Sequence, residues 1–119
     1  MTDHITPILC WLMWDKGFSE DVTFAQFEMA WTSFKSSAKK YDKHPNQLNR
    51  IHPTQKPVNL YEWTLDRYAK EGDKILDTHL GSGSIAVACD DLGFDLDATE
   101  IDKEYFDDSI KRLNQFRSQ

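Results

Sequence analysis

Ile8 to Trp14 is an unbroken apolar run, closed by Asp15-Lys16-Gly17. It has the length of a strand and is too short for a helix of its own, which predicts a buried strand. Further on, Phe27, Met29 and Trp31 alternate with Glu28, Ala30 and Thr32 inside an aromatic-rich segment, Phe24 to Phe34. Period-two alternation predicts a second strand able to pair with the first, although Ala25 to Ala30 would tolerate a helix. Then the pattern lapses. Residues 35–50 are rich in Ser, Lys and Asn and read as an exposed loop.

Helical spacing sets in after Pro53. Pro57 suits a first helical turn, where its missing N–H costs nothing. Val58, Tyr61, Leu65 and Tyr68 then share an apolar face, with Gly72 as the stop. Ile75-Leu76 predict a short strand ending on Asp77. Ile85 to Leu92 predict a helix ended by Gly93, and Phe94 to Thr99 another strand. Asp102 can cap a last helix whose inner face carries Phe106, Ile110 and Leu113. Helix, strand, helix, strand, helix is the order of an α/β fold with parallel strands.

Composition narrows the class. At 119 residues, 39% of them hydrophobic and with four Trp and seven Phe, the chain is one domain or part of one, and disorder is excluded. No apolar run approaches membrane-spanning length, and no basic region precedes the first one. These features exclude a membrane span and a secretory signal, and predict a cytoplasmic protein. Cys10 and Cys89 lie in apolar surroundings without metal-type spacing to histidine, so both read as buried free thiols of a reducing compartment. His4, His44, His52 and His79 show no pairing that suggests a metal, and none is expected.

The net charge of −6 is unevenly spread. Residues 35–50 set Lys35, Lys39, Lys40, Lys43 and Arg50 against Asp42 alone, whereas residues 71–108 set twelve acids against Lys74 and Lys103. Such a split suggests one DNA-facing segment on a body that DNA would otherwise avoid.

Two constellations carry chemistry. The first is Lys74-Ile-Leu-Asp-Thr-His-Leu-Gly-Ser-Gly83, a strand that runs into a glycine turn at the start of a helix. Gly81 and Gly83 permit close backbone approach, the helix start offers amide donors, and Asp77 can accept from an amino-bearing ligand. Glu100 follows 23 positions after Asp77, at the end of the next strand, where a carboxylate can accept from ribose hydroxyls. A plain glycine-rich turn beside a surface acid is the alternative for the turn alone; Glu100 tips the balance towards a nucleotide-like ligand. The spacing Asp-x-x-x-Gly-x-Gly, with Ala at position 86, speaks against a dinucleotide site. The second constellation is His52-Pro-Thr-Gln-Lys-Pro57, in which two prolines stiffen a segment presenting His, Thr and Lys just before a helix.

Together these motifs give the chain a family resemblance. It resembles the amino-methylating DNA methyltransferases of phage and bacteria, in the subclass whose catalytic motif precedes the cofactor motif. His52 to Pro57 is similar to their His-Pro-Thr-x-Lys-Pro segment. Asp77 to Ser84 is similar to their Asp-Pro-Phe-x-Gly-Ser-Gly-Thr motif, departing at Thr78 and His79. Glu100-Ile101-Asp102 resembles their acidic ribose-binding step. Trp14-Asp15-Lys16 and Ala30 to Phe34 look like strand elements of phage-type members.

The resemblance implies an incomplete Rossmann-like sheet with flanking helices, forming a single partial domain over residues 1–119. Core strands would occupy 8–34, a basic DNA-facing loop 35–50 and the S-adenosylmethionine-binding region 51–119. It further implies that Asp77, Gly81 and Gly83 line the methionine side of S-adenosylmethionine and that Glu100 holds its ribose. Thr54 and Lys56 would lie near the methionine end, and His52 and His79 complete the cofactor-binding set. Double-stranded DNA is the implied partner, with phosphate contacts from Lys35, Lys39, Lys40 and Lys43. Adenine N6 is favoured over cytosine N4 as the acceptor.

One family feature is absent. Methyl transfer in the family uses Asp/Asn-Pro-Pro-Tyr/Phe, whose polar group and backbone carbonyl hold the target amino group while the ring stacks on a flipped base. Pro7, Pro45, Pro53 and Pro57 are the only prolines and no two adjoin, so no catalytic residue is assigned. The expected consequence is a chain that starts partway through the usual fold and leaves a sheet edge to be covered by residues 1–7, a second chain or self-association. A catalytically inactive, cofactor-binding or subunit-pairing fragment is the alternative function; a piece of an NAD-dependent dehydrogenase fits less well.

Overall fold

The structure is a computed structural model, described here for residues 10–17, 27–42 and 56–119. Two compact units divide the chain, Met1–Pro45 and Asn46–Gln119.

The first unit is a three-stranded sheet of β1 (Cys10–Asp15), β2 (Phe27–Thr32) and β3 (Lys39–Asp42), in the order β2-β1-β3. The continuously apolar strand takes the centre. β2 runs antiparallel to it, with Cys10 opposite Thr32 and Trp14 opposite Glu28. Cys10, Leu12 and Trp14 are buried, while Trp11 and Trp31, paired on the opposite face, are 40% and 70% exposed. Both strands expected from the pattern are present; residues 8, 9 and 24–26 of those expectations lie outside the described set.

The basic segment departs from expectation, because Lys39–Asp42 is a strand and not loop. It pairs parallel to β1, Leu12 opposite Lys39 and Asp15 opposite Asp42. The second edge of β1 needs backbone partners, and four residues with a half-buried Tyr41 provide them. Lysines suit this position, since charge on an edge strand discourages further pairing. Lys40 Nζ lies 3.5 Å from Asp42 and 3.9 Å from Asp15, and Lys39 Nζ donates to Ser37 Oγ at 3.0 Å.

The second unit follows the alternation read from the sequence: α1 (Val58–Tyr68), β4 (Lys74–Asp77), α2 (Ser84–Leu92), β5 (Asp95–Ala98) and α3 (Lys103–Arg117). β4 and β5 are parallel, with Lys74 opposite Asp95 and Asp77 opposite Ala98. Leu65, Leu80, Ile85, Ala88 and Cys89 form the core, and Val58, Tyr61, Ile75, Phe94 and Leu96 pack against it. Burial pushes the Cys89 thiol above its ordinary pKa, and the nearby Asp77 charge adds to this, so the thiol stays protonated at neutral pH.

One boundary and one face differ from the sequence reading. α1 stops at Tyr68, capped by the extended residue Ala69, and Gly72 instead serves the turn into β4, where Lys70 and Asp73 bond reciprocally. Phe106 and Ile110 on α3 are 38% and 41% exposed, bordering an open cleft instead of a closed core. Asp102 does cap α3, accepting from the Tyr105 amide at 3.0 Å.

Gly83 decides how α3 seats. It stands at the N-cap of α2 with φ +83°, and a β-carbon added there would lie 2.7 Å from Cβ of the buried Ser109. Gly83→Ala therefore combines left-handed strain with a clash, and should cost about 3 kcal/mol in urea denaturation.

α1 packs on α2, and at this seam Glu62 hydrogen-bonds Asp91. Two neighbouring carboxyl groups cannot both ionise cheaply. The Asp91 hydrogen bond, then burial, then the Asp91 charge push the Glu62 carboxyl up to about 7. A folded-state pKa raised above the unfolded value means that folding favours the protonated acid. The contribution is complete below the ordinary carboxylate range and is lost as pH rises through about 7. Glu62→Gln should thus raise stability at pH 8.5 by about 1 kcal/mol, a figure discounted for solvent screening. The gain should shrink towards zero at pH 5 when urea midpoints are compared.

Candidate functional site

Parallel strands present their carboxyl ends together, and in open α/β sheets ligands bind there. β4 ends on Asp77, whose Oδ1 accepts the His79 amide at 2.8 Å and so starts the turn. The turn is stitched to the end of β5: Thr99 N–H donates to the Asp77 carbonyl, and Leu80 N–H to the Thr99 carbonyl, each at 2.9 Å. Thr99 Oγ1 donates to the Thr78 carbonyl at 2.9 Å.

Glu100 completes the stitching. Its Oε1 accepts the Gly81 amide at 2.7 Å and its Oε2 the Asp102 amide at 2.9 Å. The carboxylate is thereby oriented by two backbone donors. Thr78, His79, Thr99, Glu100 and Ile101 line a cleft of about 370 Å³ at this point. Thr78 Oγ1 and His79 Nδ1 lie 2.9 Å apart.

Of the residues singled out from the sequence, Asp77, His79, Gly81 and Glu100 come together here. Gly83 does not face the cleft lining; the close approach it permits is to α3. Lys56 reaches the turn through its backbone, its carbonyl accepting from Ser84 Oγ at 2.7 Å. His52, Thr54 and Lys43 lie outside the described residues. Lys35, Lys39 and Lys40 belong to the first unit, with Lys35 and Lys40 exposed and Lys39 half-buried.

Sequence reasoning named Ile101 only as part of the acidic step and gave it no role of its own; its side chain is wholly exposed beside Glu100. The available signal was an aliphatic residue directly after a strand-end acid and outside any helical face. A larger cleft of about 590 Å³, between α2, β5 and α3, is lined mainly by apolar residues. Of its two carboxylates, Asp90 is tied to Arg117 at 2.8 Å and Asp95 is exposed at the start of β5, so it lacks the converging polar groups of the smaller cleft. Among the described residues no cluster could hold a metal ion, and no helix is long and apolar enough to cross a membrane.

A sequence model of the DNA methylase family matches residues 13–111, most of the chain. The chain belongs to that family. Within it, the chain is 39% identical over 88 residues to the type II methyltransferase M2.DpnII of Streptococcus pneumoniae, covering 74% of this chain and 31% of that protein. It is 38% identical over 69 residues to the type II methyltransferase M.HpaI of Haemophilus parainfluenzae, covering 58% and 22%. It is 37% identical over 90 residues to M2.LlaDCHI of Lactococcus lactis subsp. cremoris, covering 76% and 31%. The chain thus spans under a third of the length of these curated relatives. Among solved structures, the M1.HpyAVI–SAM complex superposes with a TM-score of 0.73 at 27% identity, covering 87% of this chain and 61% of that one. The mixed α/β architecture with small sheets and flanking helices is therefore that of the DNA methylase family.

Removing the Glu100 carboxylate should loosen the turn. Glu100→Ala leaves the part-buried Gly81 amide unpaired and should cost about 2 kcal/mol. Glu100→Gln, whose carbonyl can still serve Gly81 while water serves Asp102, should cost less than about 1 kcal/mol. Amide exchange at Gly81 should accelerate in the first variant only.

Proposed function

We propose that this chain is the methyl-donor-binding portion of an S-adenosylmethionine-dependent DNA methyltransferase, with adenine N6 favoured over cytosine N4. The observation that carries the reading is Glu100, fixed by Gly81 and Asp102 at the mouth of a cleft between two parallel strand ends. The likeness to M1.HpyAVI, solved with SAM, supports it.

The residues present fit the cofactor. Glu100 offers oriented acceptors for a ribose diol, and exposed Ile101 offers aliphatic surface for a purine face. Asp77, at the end of β4, can balance the ammonium of the methionine moiety, with Gly81 and Gly83 shaping the turn around it. His52, Thr54, Lys56 and His79 complete the set by family resemblance. When bound, the cofactor supplies an activated methyl group on a sulfonium. What the chain's own residues do is bind and orient that donor, and positioning is the larger part of a direct displacement.

Nothing in the sequence matches the Asp/Asn-Pro-Pro-Tyr/Phe motif that would hold the target base. In this reading transfer needs a segment that carries this motif, and β4 is where it would add. Among the described residues β4 pairs only with β5, which leaves its other side as an edge. Double-stranded DNA is the proposed substrate, with phosphates met by Lys35, Lys39, Lys40 and Lys43; the weak ion pairs of Lys40 are exposed and exchangeable. The proposed compartment is the cytoplasm.

Calorimetric titration should show S-adenosylmethionine binding to the wild-type chain, weakened about tenfold in Asp77→Asn and in Glu100→Gln. Tritiated methyl transfer to unmethylated DNA should be undetectable with the chain alone and should return when a polypeptide carrying the missing motif is added. Absence of binding by the wild type would overturn the cofactor reading. Transfer by the chain alone would overturn the need for that segment.

A further inference from the structure

Behind the glycine turn, on the side of α3, lies a polar network that the cofactor cleft does not use directly. Arg112 reaches from α3 into it and donates through Nη1 to Ser84 Oγ at 2.8 Å, to the Ser82 carbonyl at 3.2 Å and to Ser82 Oγ at 3.4 Å. Ser82 and Ser84 are 5% and 2% exposed. Burial lowers the guanidinium's pKa, and among the described residues no carboxylate pairs with it. A desolvated cation whose partners are neutral oxygens is a poor device for stability, since an apolar side chain of like size would cost less to bury.

What the guanidinium does achieve is directional. Ser84 has one hydroxyl proton and can give it either to Ser82 Oγ, 3.4 Å away, or to the Lys56 carbonyl. Arg112 occupies a lone pair of that hydroxyl, and the proton is directed to Lys56 O at 2.7 Å. One turn earlier on α3, Ser109 packs against Gly83 and spends its own hydroxyl on the Phe106 carbonyl at 2.7 Å, which fixes the height from which Arg112 reaches.

We infer that Arg112 is a positioning residue for methyl-donor binding: through Ser84 it holds the backbone at Lys56 against the glycine turn. The inference rests on the S-adenosylmethionine reading above. It assigns to α3, which contributes no lining residue to the cleft, control over affinity at a distance.

The test compares calorimetric affinity for S-adenosylmethionine with urea stability in wild type, Arg112→Met, Arg112→Lys, Ser84→Ala and the Arg112→Met/Ser84→Ala double variant. Arg112→Met should bind about tenfold more weakly, within the range of an energetic coupling between sites, while its unfolding midpoint stays near that of the wild type. Arg112→Lys should recover most of the affinity. Ser84→Ala should match Arg112→Met, and the double variant should be no weaker than either single one, because both act on one chain of bonds. Wild-type affinity in both single variants, or losses that add in the double variant, would overturn the role given to Arg112. So would a loss of affinity that only follows a loss of folded protein. A wild-type chain that does not bind at all sinks the methyl-donor reading itself, which is a distinct result.

Discussion

The Glu100 carboxylate joins three pieces of chain at one point. It takes the Gly81 amide from the turn after β4 and the Asp102 amide from the entry to α3, while itself ending the segment that leaves β5. A glycine turn in isolation pays heavily in backbone entropy to hold one shape. Here that cost is offset by an acceptor stronger than water, because a charged oxygen forms the shorter and firmer bond. The cleft lined by Thr78, His79, Thr99, Glu100 and Ile101 exists because this bridge does.

α3 is the second support. Its composition is polar, and only Ser109 of its residues is fully buried, yet that serine meets the turn at Gly83, where there is no side chain. The helix is held by close backbone approach, with little help from a wide apolar seam. Phe106 and Ile110 accordingly remain partly in solvent along an open cleft. β4 and β5 show the same economy: Ile75, Leu96 and Ala98 face the helices, while Lys74, Leu76, Asp95 and Asp97 face outward. Parallel strands are usually covered on both faces, so this pair has the sequence of a half-covered sheet.

Much of this was legible in the sequence where local chemistry decides. The caps at Gly93 and Asp102, the central apolar strand and the order of elements from Val58 to Arg117 follow from spacing and from residues with one strong local preference. β3 was not legible, because four residues, two of them lysine, carry no periodic signal, and their pairing is set by a strand far away in the chain. Gly72 misled because a glycine after a helix can end it or shape the following turn, and Ala69 had already left the helical region. Within the site, Asp77, Gly81 and Glu100 announced themselves by type and position. The neighbour of Gly83 and the reach of Arg112 did not, since both depend on how α3 lies over the turn.

The contact between Ser84 and position 56 carries one more implication. The atom that Ser84 grips is a carbonyl oxygen, which all twenty amino acids supply. Holding this strand of chain in place therefore puts no demand on which residue stands there. Whatever favours a lysine at 56 must act on its side chain, so anchorage and chemistry at this position are free to drift independently as the sequence diverges.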